Sequence, residues 1–319
     1  MGEPEDLVTN SSGEHISVLL AEVLEGLVLR AGGRYIDCTV GGAGHAAAIL
    51  AASAPTGRLL GLDRDPVAAA RAASRLTRFG ERARVVHSSY AQLTAVARAA
   101  GFSSVDGILF DLGFSSFQID DPERGFAFRF DGPLDMRYDP SSMDPTAADL
   151  INQSTEDELV AILWQYGEER QSRRIARALM CARPIHTTVG LAEVVSLAVG
   201  GRRGRRLHPA TRTFQALRIA VNQELELLSA VLPQALALLR PGGRLVVIAF
   251  HSLEDRIVKR FFKRESQDCI CPPELPVCRC EHRASLRWVG SQPVQATEVE
   301  IESNLRSRSA KLRVVEKIA

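Results

Sequence analysis

Between Gly33 and Leu112 short apolar runs alternate with longer stretches of helical period. The runs are Tyr35–Ile36, RLLGLD (Arg58–Asp63), ARVVH (Ala83–His87) and VDGILFDL (Val105–Leu112). Between them lie HAAAILAA from His45, VAAARAASRL from Val67 and the stretch Tyr90–Ala100, with apolar residues three or four apart. Strands that read as near-continuous apolar runs, separated by helices, predict a parallel sheet covered on both faces, hence an α/β fold. His15–Leu29 predicts an amphipathic helix entered from a short extended piece. Asp65-Pro66 predicts a helix start, with the acid as N-cap and proline at the first position.

The alternation stops after Asp111. Gly113–Asp139 fits no period, yet Phe114, Phe117, Phe126 and Phe128 argue against disorder, so the segment is expected to order itself as a loop over a site. Thr146–Val199 reads as several helices. One starts at Thr155–Glu158 and ends at Gly167. A basic one spans Arg170–Arg183 before Pro184, and another spans Thr188–Val199. Arg202, Arg203, Arg205 and Arg206 follow in a glycine-rich loop expected to be flexible. Long amphipathic helices return over Thr211–Leu239 until Pro241-Gly242-Gly243 break them. Arg244–Phe250 then predicts a fifth strand, and Ser309–Glu316 a last one. The expected organisation is a disordered tail over 1–14, a sheet domain built from 15–138 and 208–319, and an all-helical insertion over 139–207.

Composition narrows the class without naming a partner. The chain has 319 residues, enough for one large or two medium domains, with 45% hydrophobic and 24% charged residues. A net charge of +1 neither points to nor excludes nucleic acid. The opening MGEPEDLVTNSSGE has neither a basic nor an apolar signal region, and no run reaches membrane-spanning length. A reducing, cytoplasmic compartment is expected. Cys38 and Cys181, isolated from other cysteines, are expected to be small buried apolar residues. Cys269, Cys271, Cys278 and Cys280 cluster as CICPPELPVCRC. Four thiolates so spaced suit a tetrahedral structural zinc, and reduced free thiols or disulfides remain alternatives.

The strand ends carry the chemistry. In YIDCTVGGAGH the first strand gives way to Gly41, Gly42, Ala43 and Gly44 before a helix starts at His45. Glycines there permit positive φ and close approach of a ligand to main chain, while the helix start offers free N–H groups. Asp63, ending the second strand, is placed to accept hydrogen bonds from both hydroxyls of a ribose. No Gly-Lys-Ser/Thr follows, so this is not a P-loop. Ala47 stands where a dinucleotide fingerprint needs its third glycine. The pattern therefore favours another adenosyl cofactor such as S-adenosylmethionine, which has no pyrophosphate to cradle. Asp37, Asp63 and Asp111 all fall at strand ends, where ligands of parallel sheets bind. A dinucleotide-dependent oxidoreductase and a catalytically silent RNA-binding protein are the rival classes.

The stretches HISVLLAEV, YIDCTVGGAGHAAAIL, LLGLDRDP, DGILFDLGFSSFQIDDPERGFAFRFDGPLDMR, YGEERQSRRIARAL, HPATRTFQALRIAVNQEL, LRPGGRLVVIAFHSLEDRIVKRFF and LRSRSAKLRV make a more specific case. With them the chain resembles the bacterial 16S ribosomal RNA cytosine-N4 methyltransferases, the RsmH or MraW family. The resemblance covers most of the chain from His15 to Val314. It implies a Rossmann-like sheet binding S-adenosylmethionine, an all-helical insertion, and 16S ribosomal RNA or the small ribosomal subunit as partner of a monomer or homodimer, with no membrane partner. Two positions depart from the family pattern. Ser17 stands where proline is usual and is expected to fit an extended segment. Ala43 stands where a second glycine is common and is expected to take negative φ.

The resemblance further implies cofactor contacts at Ala43, Gly44, His45, Asp63, Tyr90, Asp111 and Gln118. The Tyr90 ring would lie beside the adenine. The acceptor it implies is a cytosine amine, a poor nucleophile whose lone pair is delocalised into the ring. Asp111, or the hydroxyls of Ser115 and Ser116, would hold that amine, and positioning would supply most of the rate. Phe126 and Phe128 are candidate stacking platforms for a target base drawn from its stack. Arg202, Arg203, Arg205 and Arg206 would contact phosphates, as would Arg173, Arg174, Arg177 and several C-terminal basic residues. His208, Thr211, Arg212 and Thr213 would line the site from the insertion side, and His251 and Glu254 would share its rim.

Overall fold

The computed structural model describes residues 17–201, 208–272, 274–275 and 277–318. The expectations for the 1–14 tail and for Arg202, Arg203, Arg205 and Arg206 lie outside the described residues, as does the side chain of Ser116. The chain runs α1 (Leu20–Leu27), β1 (Arg34–Asp37), α2 (Gly44–Ala52), β2 (Arg58–Asp63), α3 (Pro66–Leu76), β3 (Ala83–His87), α4 (Leu93–Ala99) and β4 (Val105–Asp111). Five helices follow without a strand between them: α5 (Ser116–Asp120), α6 (Ala147–Gln153), α7 (Glu156–Gly167), α8 (Ser172–Ala182) and α9 (Thr188–Ala198). Then come α10 (Thr211–Asn222), α11 (Glu224–Leu238), β5 (Leu239–Ala249), α12 (Ser252–Glu265), β6 (Leu286–Val294), α13 (Glu298–Ser303) and β7 (Lys311–Lys317). Among the described residues no helix is long and apolar enough to cross a membrane.

The strands form one sheet in the order β3-β2-β1-β4-β5-β7-β6. The first five are parallel, and β7 runs antiparallel to both neighbours. The chain winds outward from β1 to β3 and then returns to β4, so the order reverses beside β1. A sheet of this kind opens its ligand crevice at that switch point. Buried side chains pack on both faces, Phe110, Leu232 and Phe262 on one and Tyr35, Leu109 and Val246 on the other. A third cluster joins α6–α9 to α10, and it takes in Phe126, Leu134 and Met136 from the irregular segment and Phe214 and Leu217 from α10.

Several elements differ from expectation for identifiable reasons. The first helix is shorter, because Leu19 (φ 51°) and Val28 (φ 49°) adopt left-handed geometry on either side of it. The Tyr90 segment opens as a 3-10 turn over Tyr90–Gln92 before α4 begins. Pro241-Gly242-Gly243 do not end the helical run: α11 stops at Leu238, Leu239 already pairs with Val105, and the three residues form an irregularity within β5 before the ladder resumes at Arg244. Strand β6 had no apolar run to announce it. It is an edge strand with mostly exposed side chains.

Asp65 secures the irregular segment to the sheet. It is 2% exposed. Oδ1 accepts from the amides of Val67 (2.9 Å) and Ala68 (3.3 Å), capping α3 as the sequence indicates. Oδ2 accepts from Gln118 Nε2 (2.9 Å) and Arg124 Nη1 (2.7 Å). Arg124 in turn donates to the carbonyls of Arg137 (3.0 Å) and Tyr138 (2.9 Å). One carboxylate thus fixes a helix start and both limbs of the loop. Asp65→Ala is expected to lower the unfolding free energy by about 3 kcal/mol or more, combining a lost cap with a stranded, largely buried guanidinium. Asp65→Asn, which keeps a capping oxygen, should lose less. Urea unfolding of the three proteins checks the order.

Candidate active site

Strands β1, β2 and β4 are parallel and end at Asp37, Asp63 and Asp111, so these acids arrive at one edge. A cavity of about 390 Å³ opens there. Its lining includes Gly41, Gly42, Gly44, His45, Asp63, Tyr90, Asp111, Ser115 and Gln118. Gly44, Asp63 and Asp111 therefore share one hollow. Asp37 lies beneath it at 1% exposure and does not form its wall.

The turn at 41–44 has an unexpected division of labour. Positive φ falls on Gly41 (45°) and Ala43 (61°). The expectation of negative φ at Ala43 is thus incorrect, and its side chain is fully buried in the core rather than on the cavity wall. An alanine in left-handed geometry costs about 1 kcal/mol or more, which the packing of its methyl group opposes. Gly44 serves a different need. A Cβ at that position would lie 2.0 Å from Ser17 Oγ and 3.3 Å from Ser17 Cβ, so the Ser17 hydroxyl rests against bare main chain at the start of α2 and would have to turn away from any larger residue.

Asp63 receives two amides, Gly41 N on Oδ2 and Asp65 N on Oδ1, both at 2.8 Å. Burial pushes its pKa up to about 6 against those two hydrogen bonds. Each carboxylate oxygen has a second acceptor position, so both can still take a hydroxyl. Asp111 is less satisfied. Its Oδ1 is buried with no hydrogen-bond partner, and Oδ2 lies 3.5 Å from His45 Nδ1. Burial first, then the nearby Glu254, push Asp111 up to about 7. The other ring nitrogen, His45 Nε2, sits 2.9 Å from the carbonyl of Val18. A carbonyl only accepts, so Nε2 carries the hydrogen and Nδ1 presents a lone pair. The contact with Asp111 is attractive only with a proton between them. Burial lowers the His45 pKa, which assigns that proton to Asp111. Asp37 is likewise pushed up to about 7 by burial.

The roof comes from the helical half, and most of it carries no single-residue sequence signature. Arg218 pairs with Glu224 through Nε–Oε1 (2.8 Å) and Nη2–Oε2 (2.9 Å), with both side chains buried. The Tyr138 hydroxyl donates to Glu224 Oε1 at 3.1 Å, and the Arg218 guanidinium lies 4.5 Å from the centre of the Phe114 ring. Tyr138, Gln215, Arg218 and Phe250 all line the cavity. A charged residue at an otherwise apolar face of α10 was the signal available for Arg218. His251 lines the cavity as expected. Glu254 stands behind it, with Oε2 accepting from Phe250 N (2.8 Å) and Oε1 3.2 Å from His251 Nε2.

Other expected residues lie elsewhere. Phe126 is 8% exposed and stacks with Phe114 (5.9 Å) and Tyr138 (5.7 Å), so it backs those two wall residues from the core and offers no open face to a base. Phe128 packs against His208 (4.5 Å) and Phe214 (4.9 Å). Neither Phe128 nor His208 lines the cavity, and neither does Thr211 or buried Thr213. Exposed Arg212 borders a separate depression with Trp164, Arg170 and Arg256. Trp164, 59% exposed, also borders a second depression with Arg173 and Arg174. In the sequence this tryptophan reads only as a helix residue. Ser115 lines the cavity, and its hydroxyl and Gln118 cap α5 reciprocally, with Gln118 Oε1 accepting from Ser115 N at 2.9 Å. Cys38 is buried as expected, but Cys181 is exposed, on the outer side of α8.

Comparison with known proteins gives a consistent result. Residues 12–318 match the model of the MraW methylase family. The chain is 55% identical over 311 residues to a protein of Thermomicrobium roseum named ribosomal RNA small subunit methyltransferase H, covering 97% of this chain and 95% of that one. Proteins of the same name from Syntrophobacter fumaroxidans (53% over 308 residues, 95% of this chain and 96% of the relative) and Dehalococcoides mccartyi (52% over 304 residues, 95% and 86%) are also similar.

The protonated Asp111 has a measurable signature. Its folded pKa of about 7 exceeds the ordinary 3.8. Below pH ~4 both folded and unfolded states hold the proton and the shift costs nothing. As pH rises towards 7 the unfolded chain releases it first, and stability is lost. An asparagine in its place has no proton to release and escapes that loss. Relative to wild type, Asp111→Asn should therefore gain stability from about pH 4.5 to about pH 8, by up to about 4 kcal/mol. Urea unfolding of both proteins across that range tests it, and parallel pH curves would place the proton elsewhere.

Proposed function

The chain belongs to the MraW methylase family, and we propose that it uses S-adenosylmethionine to methylate the exocyclic N4 amine of a specific cytidine in small-subunit (16S) ribosomal RNA. The observation that carries this reading is the one hollow shared by the glycine turn, Asp63 and the partnerless Oδ1 of Asp111. The names of the relatives support the RNA, and their extent supports an assignment to the whole chain.

The residues present fit the cofactor. S-adenosylmethionine supplies a methyl group on a sulfonium, activated for displacement, and carries a second cation on its amino group. A floor of buried carboxylates with an unfilled acceptor atom suits such a ligand. Asp63 would hold the ribose hydroxyls while its amide partners keep it oriented. Tyr90, fixed edge-on against Phe110 at 5.8 Å, would flank the adenine. Gln118 is pinned by Asp65 and Ser115, so its contribution is a preset wall.

Asp111 is placed to do the proton work. Its Oδ1, once ionised, accepts an N–H of the cytosine amine and so turns the nitrogen lone pair out of conjugation with the ring. When the nitrogen gains its new bond to carbon it must shed a proton, and the same oxygen receives it. A carboxylate poised at about 7 is suited to both tasks near neutral pH. The Ser115 hydroxyl is the second acceptor within the wall. Arg170, Arg173, Arg174 and exposed Trp164 form the surface on which we place RNA phosphates and a stacked base. We place the reaction in the cytoplasm, carried out by a monomer or homodimer.

The decisive test maps methylated cytidines on small-subunit RNA by mass spectrometry, with and without this protein. One N4-methyl mark should depend on it, and an unchanged map would overturn the assignment. By calorimetry Asp63→Ala should weaken S-adenosylmethionine binding by about 10- to 100-fold, the worth of hydrogen bonds to a charged group. Asp111→Asn, which keeps an acceptor oxygen but no charge, should weaken cofactor binding less than Asp63→Ala does and lower turnover by about 100-fold or more.

A further inference from the structure

We propose that Cys269, Cys271, Cys278 and Cys280 bind one structural zinc ion, at a site separate from the cofactor cavity. All four sulfurs lie within 4.8 Å of one another, with Cys278–Cys280 at 3.6 Å and Cys280–Cys269 at 3.8 Å. Thiolates bound at about 2.3 Å to a tetrahedral ion stand about 3.8 Å apart, so the spacing is that of a mononuclear site. A disulfide would need about 2.05 Å, and all four are free thiols. Apolar packing does not explain the convergence, because Cys269 and Cys278 are exposed and the other two only half-buried.

The main chain braces the cluster crosswise. Ile270 N, between the first pair, donates to Cys280 Sγ at 3.4 Å. Arg279 N, between the second pair, donates to Cys271 Sγ at 3.4 Å. Amides aimed at sulfur stabilise thiolate over thiol. Four thiolates and one divalent cation leave an excess of negative charge, and Lys263, Arg264, Arg279 and Arg283 stand close in sequence to offset it. The cluster sits in the connection from α12 to β6. That connection is closed at its root by Ser285 N to Glu265 O (2.8 Å) and by His282 Nε2 against Arg264 O (3.0 Å). Among the described residues of 266–285, none lines the cavity. Four protein ligands also leave no open position for a water or substrate, so the ion's role is to hold this connection closed.

The test uses the full chain, purified without chelator under reducing conditions. Elemental analysis should find one zinc per chain, released in step with titration of the thiols by a mercurial. Reconstitution with cobalt should give the intense visible absorption and thiolate charge-transfer bands of a tetrahedral four-sulfur site. A Cys271→Ser, Cys278→Ser variant should hold less than about a tenth of an equivalent and lose the chelator-dependent fall in melting temperature seen in wild type. Wild-type protein that takes up no zinc in competition with a chromophoric chelator would overturn the proposal. So would disulfides in the freshly isolated protein, or iron in place of zinc. These readings come from the wild-type chain and stand even where the variant fails to fold.

Discussion

Carboxylates held out of water at the open edge of a parallel sheet are the constraint on which the remaining architecture turns. The topology leaves little choice in their placement. Strands β1, β2 and β4 share a direction, so residues at their ends reach the same rim. Burying such groups raises their proton affinity, and the protein relieves each one differently. Asp63 is compensated by two amides, Asp37 by one, and Asp111 by a histidine contact that a proton completes. The least compensated acid is the one with an open acceptor atom in the cavity. On the function proposed above, that is where a cationic ligand and an amine would repair the deficit.

A second set of interactions keeps the cavity roofed. Arg124 and Arg218 each carry a buried positive charge from the irregular or helical part of the chain to an acid, Asp65 in one case and Glu224 in the other. Aromatic rings fill the space between them, from Phe114 through Phe126 to Tyr138. The Arg124–Asp65 pair ties the roof to the sheet, the Arg218–Glu224 pair and the stacked rings hold the roof together, and the helices α6–α9 share their core with it. This packing extends beyond the segment a sequence pattern would mark as an insertion.

Much of the sheet was legible in the sequence because fully buried parallel strands must be apolar throughout. Strand β2, buried at four of its six positions, carries the boundaries that its apolar run suggests, edge strand β3 does so on Val85 and Val86 although no side chain of it is fully buried, and Asp65-Pro66 caps its helix as read. What the pattern could not reveal has physical causes. Strand β6 lies at an edge and buries few side chains, so its hydrophobic periodicity is weak. The left-handed geometry of Ala43 is imposed by tertiary packing against the residue's usual preference. Phe126 resembled an exposed platform only while its stacking partners, 12 residues away on either side in sequence, were unknown to be neighbours. Arg218, on an otherwise apolar face of its helix, could be flagged as out of place, but its role appears only once Glu224 is seen to pair with it.

The placement of β7 has a consequence for how the molecule is made. It lies between β5 and β6, yet follows both along the chain, and β6 meets the sheet only through it. On a translating ribosome the earlier strands can assemble as they emerge, while β6 waits unpaired until β7 leaves the exit tunnel. Leu305, Arg306 and Ser309, just upstream of β7, supply part of the cavity wall. The cavity wall is therefore completed late in biosynthesis, and a nascent chain stalled before residue 305 would carry a pocket open on one side beside an unpaired strand.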